Sequence, residues 1–232
     1  MIPLMTAAPA PEPACVVLLH GIGMRAYVMK RLETALRADG YRVVNLSYPS
    51  RRMPFEELAG AYLPAQLAKH DTGRAPQLHF VTHSLGSLVL RKFLQDARPA
   101  NLGRVVMIGP PNHGSTAADV AKENTLLRHF LGGNLLRLGT GDDAIARTLG
   151  PADFDLGIIA GTVPVNPVFG RVLGGRNDGA VTVESARLDG MHDFLVVPYS
   201  HTLMLWRTEV IDQTRTYLRD GRFTHPKPAT PP

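Results

Sequence analysis

The chain predicts an α/β fold, a mostly parallel sheet of about six strands with helices on both faces. Three observations lead there. Short apolar runs recur along the 232 residues, most of them followed by a helical pattern. Several of these runs are continuously apolar, as strands covered on both faces require. The strand, helix, strand order calls for right-handed crossovers and therefore parallel neighbours. With 44% hydrophobic residues the chain holds enough apolar material for one core, so a single domain is expected over residues 15–220.

Cys15-Val-Val-Leu-Leu-His20 is the first strand and ends in His20-Gly21-Ile22-Gly23. Two glycines after a buried parallel strand let the backbone turn tightly and approach a ligand, so the N–H of Ile22 is a candidate donor to an oxyanion; an ordinary glycine turn is the plainer alternative. A helix is expected over Tyr27 to Asp39, with Val28, Leu32, Ala35 and Leu36 on one face and Gly40 as its stop. Arg42 to Leu46 is a second strand and Phe55 to His70 a second helix, with Pro64 as an internal irregularity.

The organising stretch is Gln77 to Lys92, where a strand carrying Leu78, Phe80 and Val81 meets a helical pattern of Leu85, Leu88, Val89 and Phe93. Ser84 falls on the corner. That station lifts a hydroxyl above the sheet beside the N–H of Leu85 at a helix N-terminus, which suits acyl chemistry. Gly86 permits close approach of strand and helix, whereas Thr82 stands where the G-x-S-x-G pattern has its first glycine. A serine that only caps the helix is the competing reading.

Arg104 to Ile108 is the next strand, running into Gly109-Pro-Pro-Asn-His-Gly-Ser115. His113 is a candidate substrate contact there, against the alternative that it packs beneath its loop. Thr116 to Gly150 reads as a small helical insertion over the site, either a lid with glycine hinges or a fixed cover. Leu156 to Ala160 is a fifth strand, and Thr162 to Gly179 a long irregular loop whose last residues, Arg176-Asn-Asp-Gly179, would present Asp178. Asp193 to Pro198 is the last strand and Thr202 to Leu218 the last helix, leaving His201 at a strand-to-helix corner like that of Ser84.

Ser84, Asp178 and His201 thus come in the order nucleophile, acid, base, each after a predicted strand. At this point the chain resembles the small serine lipases and esterases of the α/β-hydrolase fold. The resemblance rests on Leu-Leu-His-Gly-Ile-Gly at 18–23, Val-Thr-His-Ser-Leu-Gly-Ser at 81–87, the 109–115 loop, Asn-Asp-Gly-Ala-Val-Thr-Val-Glu-Ser at 177–185 and Ser-His-Thr at 200–202. It implies that Ser84 attacks an ester carbonyl, His201 takes its proton, Asp178 holds the imidazole, and the N–H groups of Ile22 and Leu85 form the oxyanion hole. Such a hydrolase needs no cofactor and no metal, and its partner is a small-molecule or lipid ester. Acyl transfer, thioester or amide cleavage on the same three residues is the alternative chemistry, and a non-catalytic binding protein the alternative class.

Other features are read more plainly. His192 is the runner-up base, but it precedes a strand and belongs at the opposite edge. Asp153, Asp155, Asp189 and Asp193 share that geometry, and Asp142-Asp143 reads as a charge pair near a helix start instead of a metal site. The net charge of +5 is scattered, which does not indicate nucleic-acid binding, and Arg51-Arg52 reads as a solvated surface pair. Cys15 is the only cysteine, so intramolecular disulfides and a cysteine zinc cluster are excluded. Residues 1–14 are expected to be flexible and 221–232 to be a disordered tail. No stretch reads as a signal peptide or membrane span, so a cytoplasmic location is the default, with a trimmed secreted precursor as the alternative.

Overall fold

The computed structural model describes residues 12–126, 129 and 132–225. Six strands make one parallel sheet: β1 (Cys15–Leu19), β2 (Arg42–Leu46), β3 (Leu78–His83), β4 (Leu102–Ile108), β5 (Leu156–Gly161) and β6 (Asp193–Val197). Their spatial order is β2-β1-β3-β4-β5-β6. After β1 the chain moves outward to β2 and then returns to β3 on the other side of β1, so a switch point lies between β1 and β3. Open parallel sheets bind ligands at the carboxyl ends of strands beside such a point. Register brings these ends level, with Leu19 opposite Thr82, His83 opposite Ile108 and Ile108 opposite Ile159.

The apolar runs are continuous because each strand feeds two cores. Val17, Leu19, Phe80, Met107 and Ile158 face one, while Val16, Leu18, Val81, Val106 and Ile159 face the other. The second core is closed by α1 (Lys30–Ala38) with the C-terminal helix, and α1 is preceded by a 3-10 turn at Ala26–Met29 where one continuous helix was expected. The Phe55 to His70 region is likewise composite: α2 (Phe55–Glu57), a π turn at Leu58–Tyr62, then α3 (Leu63–Lys69). Pro64 explains the wide turn, since it lacks an N–H and its ring crowds the carbonyl four residues back, at Gly60. Next comes α4 (Leu85–Asp96), buried on nearly every side beneath the first core.

The expected insertion contains α5 (Thr116–Lys122) and α6 (Gly133–Leu136); residues 127, 128, 130 and 131 lie outside the described set. Leu135, Leu138, Ile145 and Leu149 from this segment are buried in the first core, and Asn134 Nδ2 donates to the carbonyls of Ser50 and Met53, both at 2.9 Å. The loop from 162 to 179 is not wholly irregular, because α7 (Pro167–Leu173) forms within it, started by a proline whose missing N–H costs nothing at a first turn. A short α8 (Val183–Ala186) follows. The helix expected over Thr202 to Leu218 is divided into a 3-10 turn at Leu203–Trp206 and α9 (Thr208–Asp220), separated by extended Arg207.

The tail expectation needs correcting where it falls on described residues. Phe223 is buried against the Tyr217 ring at 4.8 Å, its N–H donates to Asp193 Oδ2 at 2.7 Å, and Thr224 is bonded to Gln213. An aromatic after the glycine stop of α9 gives these residues a core seat that composition alone did not reveal. Residues 226–232, and 1–11 of the expected flexible segment, lie outside the described residues.

Candidate active site

Ser84 leaves β3 with φ 51° and ψ −123°, and its side chain makes no cap bond to the helix. Positive φ at a non-glycine residue costs on the order of 1–3 kcal/mol, and a capping serine has no need of it. The corner is tight because β1 and α4 nearly touch: a β-carbon on Gly86 would lie 2.6 Å from the Leu19 carbonyl oxygen and 2.9 Å from that of His20. Thr82 is buried in β3, and its hydroxyl is paired with that of Ser87 at 2.8 Å across the corner.

The turn after β1 lies against this corner. A β-carbon on Gly21 would stand 3.2 Å from Ser84 Cβ and 2.8 Å from His83 Nδ1. His20 orients the turn: Tyr48 N–H donates to its Nε2 at 3.2 Å, so Nδ1 carries the proton and donates to the Gly21 carbonyl at 2.8 Å. The ring is stacked on Tyr48 at 4.2 Å, and burial pushes its pKa down to about 4 against the small opposing effect of the Gly21 bond, which keeps it neutral. Because a trans peptide points its C=O and N–H in opposite directions, fixing the Gly21 carbonyl also fixes the Ile22 N–H. That N–H has no backbone acceptor among the described residues. Leu85 is the first residue of α4, where an N–H has no acceptor within the helix.

Asp178 is buried, and its Oδ2 lies 2.8 Å from His201 Nδ1. The other carboxylate oxygen accepts from the N–H groups of Ala180 at 2.9 Å and Val181 at 2.8 Å. Next to it, buried Asn177 donates to the carbonyls of Gly170, Gly174 and Gly175 and accepts from Gly179 N–H at 3.0 Å, which holds the loop in shape. Room for the pair comes from two glycines that sequence reasoning missed. A β-carbon on Gly109, at φ 56°, would sit 3.1 Å from the His201 ring, and one on Gly161 would sit 2.8 Å from Asp178 Cβ. Their signal was faint: each only ends or follows a strand.

His83 joins the two halves. Its Nε2 donates to the backbone carbonyl of His201 at 3.0 Å, the two rings lie 4.7 Å apart, and burial followed by the neighbouring His201 keeps its pKa well below the usual histidine value. No hydrogen bond links the Ser84 hydroxyl to His201 among the described residues; the two are brought to one place through His83, the residue before Ser84.

These strand ends, in the order of the chain, carry the layout of a known family. The model of the alpha/beta hydrolase family matches residues 16–224. The chain belongs to that family. Among solved structures this hydrolase is similar to the mature lipase BlEst2 of Bacillus licheniformis, with a TM-score of 0.68, 20% identity and 92% of each chain covered. It is also similar to the metagenomic carboxyl esterase MGS0156, with a TM-score of 0.65, 17% identity, and 87% of this chain and 70% of that one covered. Phospholipase PlaB of Legionella pneumophila has a TM-score of 0.61 at 19% identity, over 75% of this chain and 45% of its own. At such identities the likeness is one of fold. No curated protein is a significant match.

The remaining candidates stand apart from the pair. His113 is exposed, not packed beneath its loop; among the described residues only its backbone is held, donating to the Ser185 carbonyl at 3.0 Å. His192 accepts from the N–H of Leu156, the first residue of β5, and so lies at the amino edge. Asp153 and Asp155 precede that strand, paired with Arg98 and Arg104, and Asp193 opens β6. Asp142 is paired with Arg147, and no group of three metal-ligating side chains is gathered among the described residues. No helix among them is long and apolar enough to cross a membrane.

Proposed function

We propose that this hydrolase cleaves carboxylic esters through an acyl-enzyme on Ser84. In this reading His201 Nε2 accepts the proton as Ser84 Oγ attacks the carbonyl carbon, and returns it to the leaving alcohol when the C–O bond breaks. Asp178 keeps the Nδ1–H tautomer and stabilises the imidazolium. The N–H groups of Ile22 and Leu85 receive the oxyanion, a role suited to donors fixed before the reaction. Water then enters by the same route and releases the acid. His113, exposed on the loop after β4, is the proposed polar contact for the substrate beyond the reacting group.

The observation that carries the reading is the buried Asp178–His201 bond beside a serine held at positive φ and free of any capping bond. Labelling by a serine-directed fluorophosphonate, with p-nitrophenyl esters of graded chain length as substrates, tests it. Wild-type protein should label at Ser84 and hydrolyse at least the short esters, and Ser84→Ala should do neither. Absence of labelling in the wild type sinks the reading. Labelling without ester turnover would turn it toward thioester, amide or acyl-transfer chemistry.

A further inference from the structure

Beside the turn that carries Ile22, a cavity of about 350 Å³ opens between the β1 and β2 loops, lined by Gly23 and Arg25 on one side and by Ser50, Arg51 and Arg52 on the other. Exposed arginines from both loops, Arg25 on one side and Arg52 on the other, therefore line one small space, and no Asp or Glu is among the described residues that line it. Arg51 and Arg52 looked like a surface pair along the chain; Arg25 joins them only because β1 and β2 are neighbours.

The walls are built and braced. Gly23 N–H donates to buried Ser50 Oγ at 3.0 Å, tying the β1 turn to the β2 loop. Asn134 grips the carbonyls of Ser50 and Met53 from the insertion, and Gly132 packs so closely on the Arg51 backbone that a β-carbon would lie 2.0 Å from its carbonyl oxygen. Ser50, accepting from Gly23, still has its own O–H to donate. The space is also close to the nucleophile. Gly21 adjoins Ser84 Cβ, and Gly23 is two residues further, at most about 7.6 Å along the Cα trace.

We propose that this cavity seats an anionic group of the ester substrate, a terminal carboxylate or phosphate carried roughly four to six single bonds from the scissile carbonyl. The assignment rests on the esterase reading and narrows it from esters in general to esters bearing a negative charge. Arginine forks suit both anions, which present planar or tetrahedral oxygens to paired N–H donors. Neutral esters of the same length reach Ser84 without this anchor, so the charge acts mainly on KM.

Two matched pairs test it, each at low ionic strength. The free acid of p-nitrophenyl adipate is set against its methyl ester, and 1-butyrylglycerol 3-phosphate against 1-butyrylglycerol. Wild-type protein should prefer the anionic member of at least one pair by about tenfold in kcat/KM, as expected for a hydrogen bond to a charged group. Whichever pair responds names the anion. Added salt should shrink the preference. Both Arg25 and Arg52 are exposed, so substitution leaves the core intact. R25Q/R52Q should bring the ratio to about one, while R25K/R52K retains part of it. Equal turnover of both members of both pairs overturns the proposal and leaves the esterase reading standing, as does a preference that survives in R25Q/R52Q. If no ester is turned over, the esterase reading fails. Titration calorimetry of glycerol 3-phosphate and of adipate into Ser84→Ala then decides the cavity alone: binding that is lost in S84A/R25Q/R52Q sustains the anion seat, and no binding of either, or binding that persists, refutes it.

Discussion

Asp178→Asn is the substitution that tests the site most directly, because the geometry dictates which way the new amide must face. Two backbone N–H groups, from Ala180 and Val181, converge on one carboxylate oxygen at 2.9 and 2.8 Å. An amide NH2 there would oppose two donors, so the Asn oxygen must take that place and its NH2 must face His201 Nδ1 across the present 2.8 Å contact. The imidazole then accepts at Nδ1 and carries its proton on Nε2, the wrong tautomer for taking a proton from Ser84. The fold should hold, since both N–H groups keep their acceptor. Turnover should fall about ten-thousandfold, by analogy with the same exchange in the serine-protease triad. That is about 5.5 kcal/mol of transition-state stabilisation. The assay is kcat for a p-nitrophenyl acetyl ester, with circular dichroism and thermal unfolding as controls. A variant that keeps its fold and works within tenfold of wild type would refute the orienting role of Asp178.

Gly86→Ala should lower stability by about 1–3 kcal/mol, because the added carbon meets main-chain carbonyls of Leu19 and His20 that have no side-chain freedom to yield. Calorimetry should show a melting point lower by several degrees, and an unchanged value would mean that β1 and α4 separate easily. Leu135→Ala, in the insertion, should cost about 2–5 kcal/mol, since Leu135 is buried in the first core. Denaturant unfolding checks this, and a cost near zero would favour a detachable lid over a fixed cover. His20 contributes to acid sensitivity: its folded pKa of about 4 lies below the ordinary 6.5, so the unfolded chain binds the proton first. The stability of the neutral form is complete above about pH 6.5 and is lost as pH falls toward 4, by roughly 3 kcal/mol. His20→Gln should therefore reduce the difference in unfolding free energy between neutral and acidic pH, and an unchanged difference would mean that His20 is charged in the folded protein.

Much of the fold was legible along the chain because burial on both faces writes continuous apolar runs, and the crossover rule then orders them. All six strands appear within a few residues of where those runs place them, and Ser84 falls on its strand-to-helix corner. Helix boundaries were less legible. The π turn before Pro64, the break at Arg207 and α7 within the 162–179 loop depend on how each segment meets the sheet.

By itself, then, the sequence determined the fold class, the serine corner, and the order in which Ser84, Asp178 and His201 reach one edge. Tertiary structure alone decided how that edge is assembled. Asn177 holds three glycine carbonyls, Gly109 and Gly161 leave room for His201 and Asp178, and His83 bonds to the His201 carbonyl across 118 positions of chain. Arg25 meets Arg51 and Arg52 around one cavity. The physical reason is range: backbone preference and hydrophobic period are local properties that each segment carries within itself, whereas a hydrogen bond or a shared charge field between distant segments comes into being only when the sheet brings them side by side.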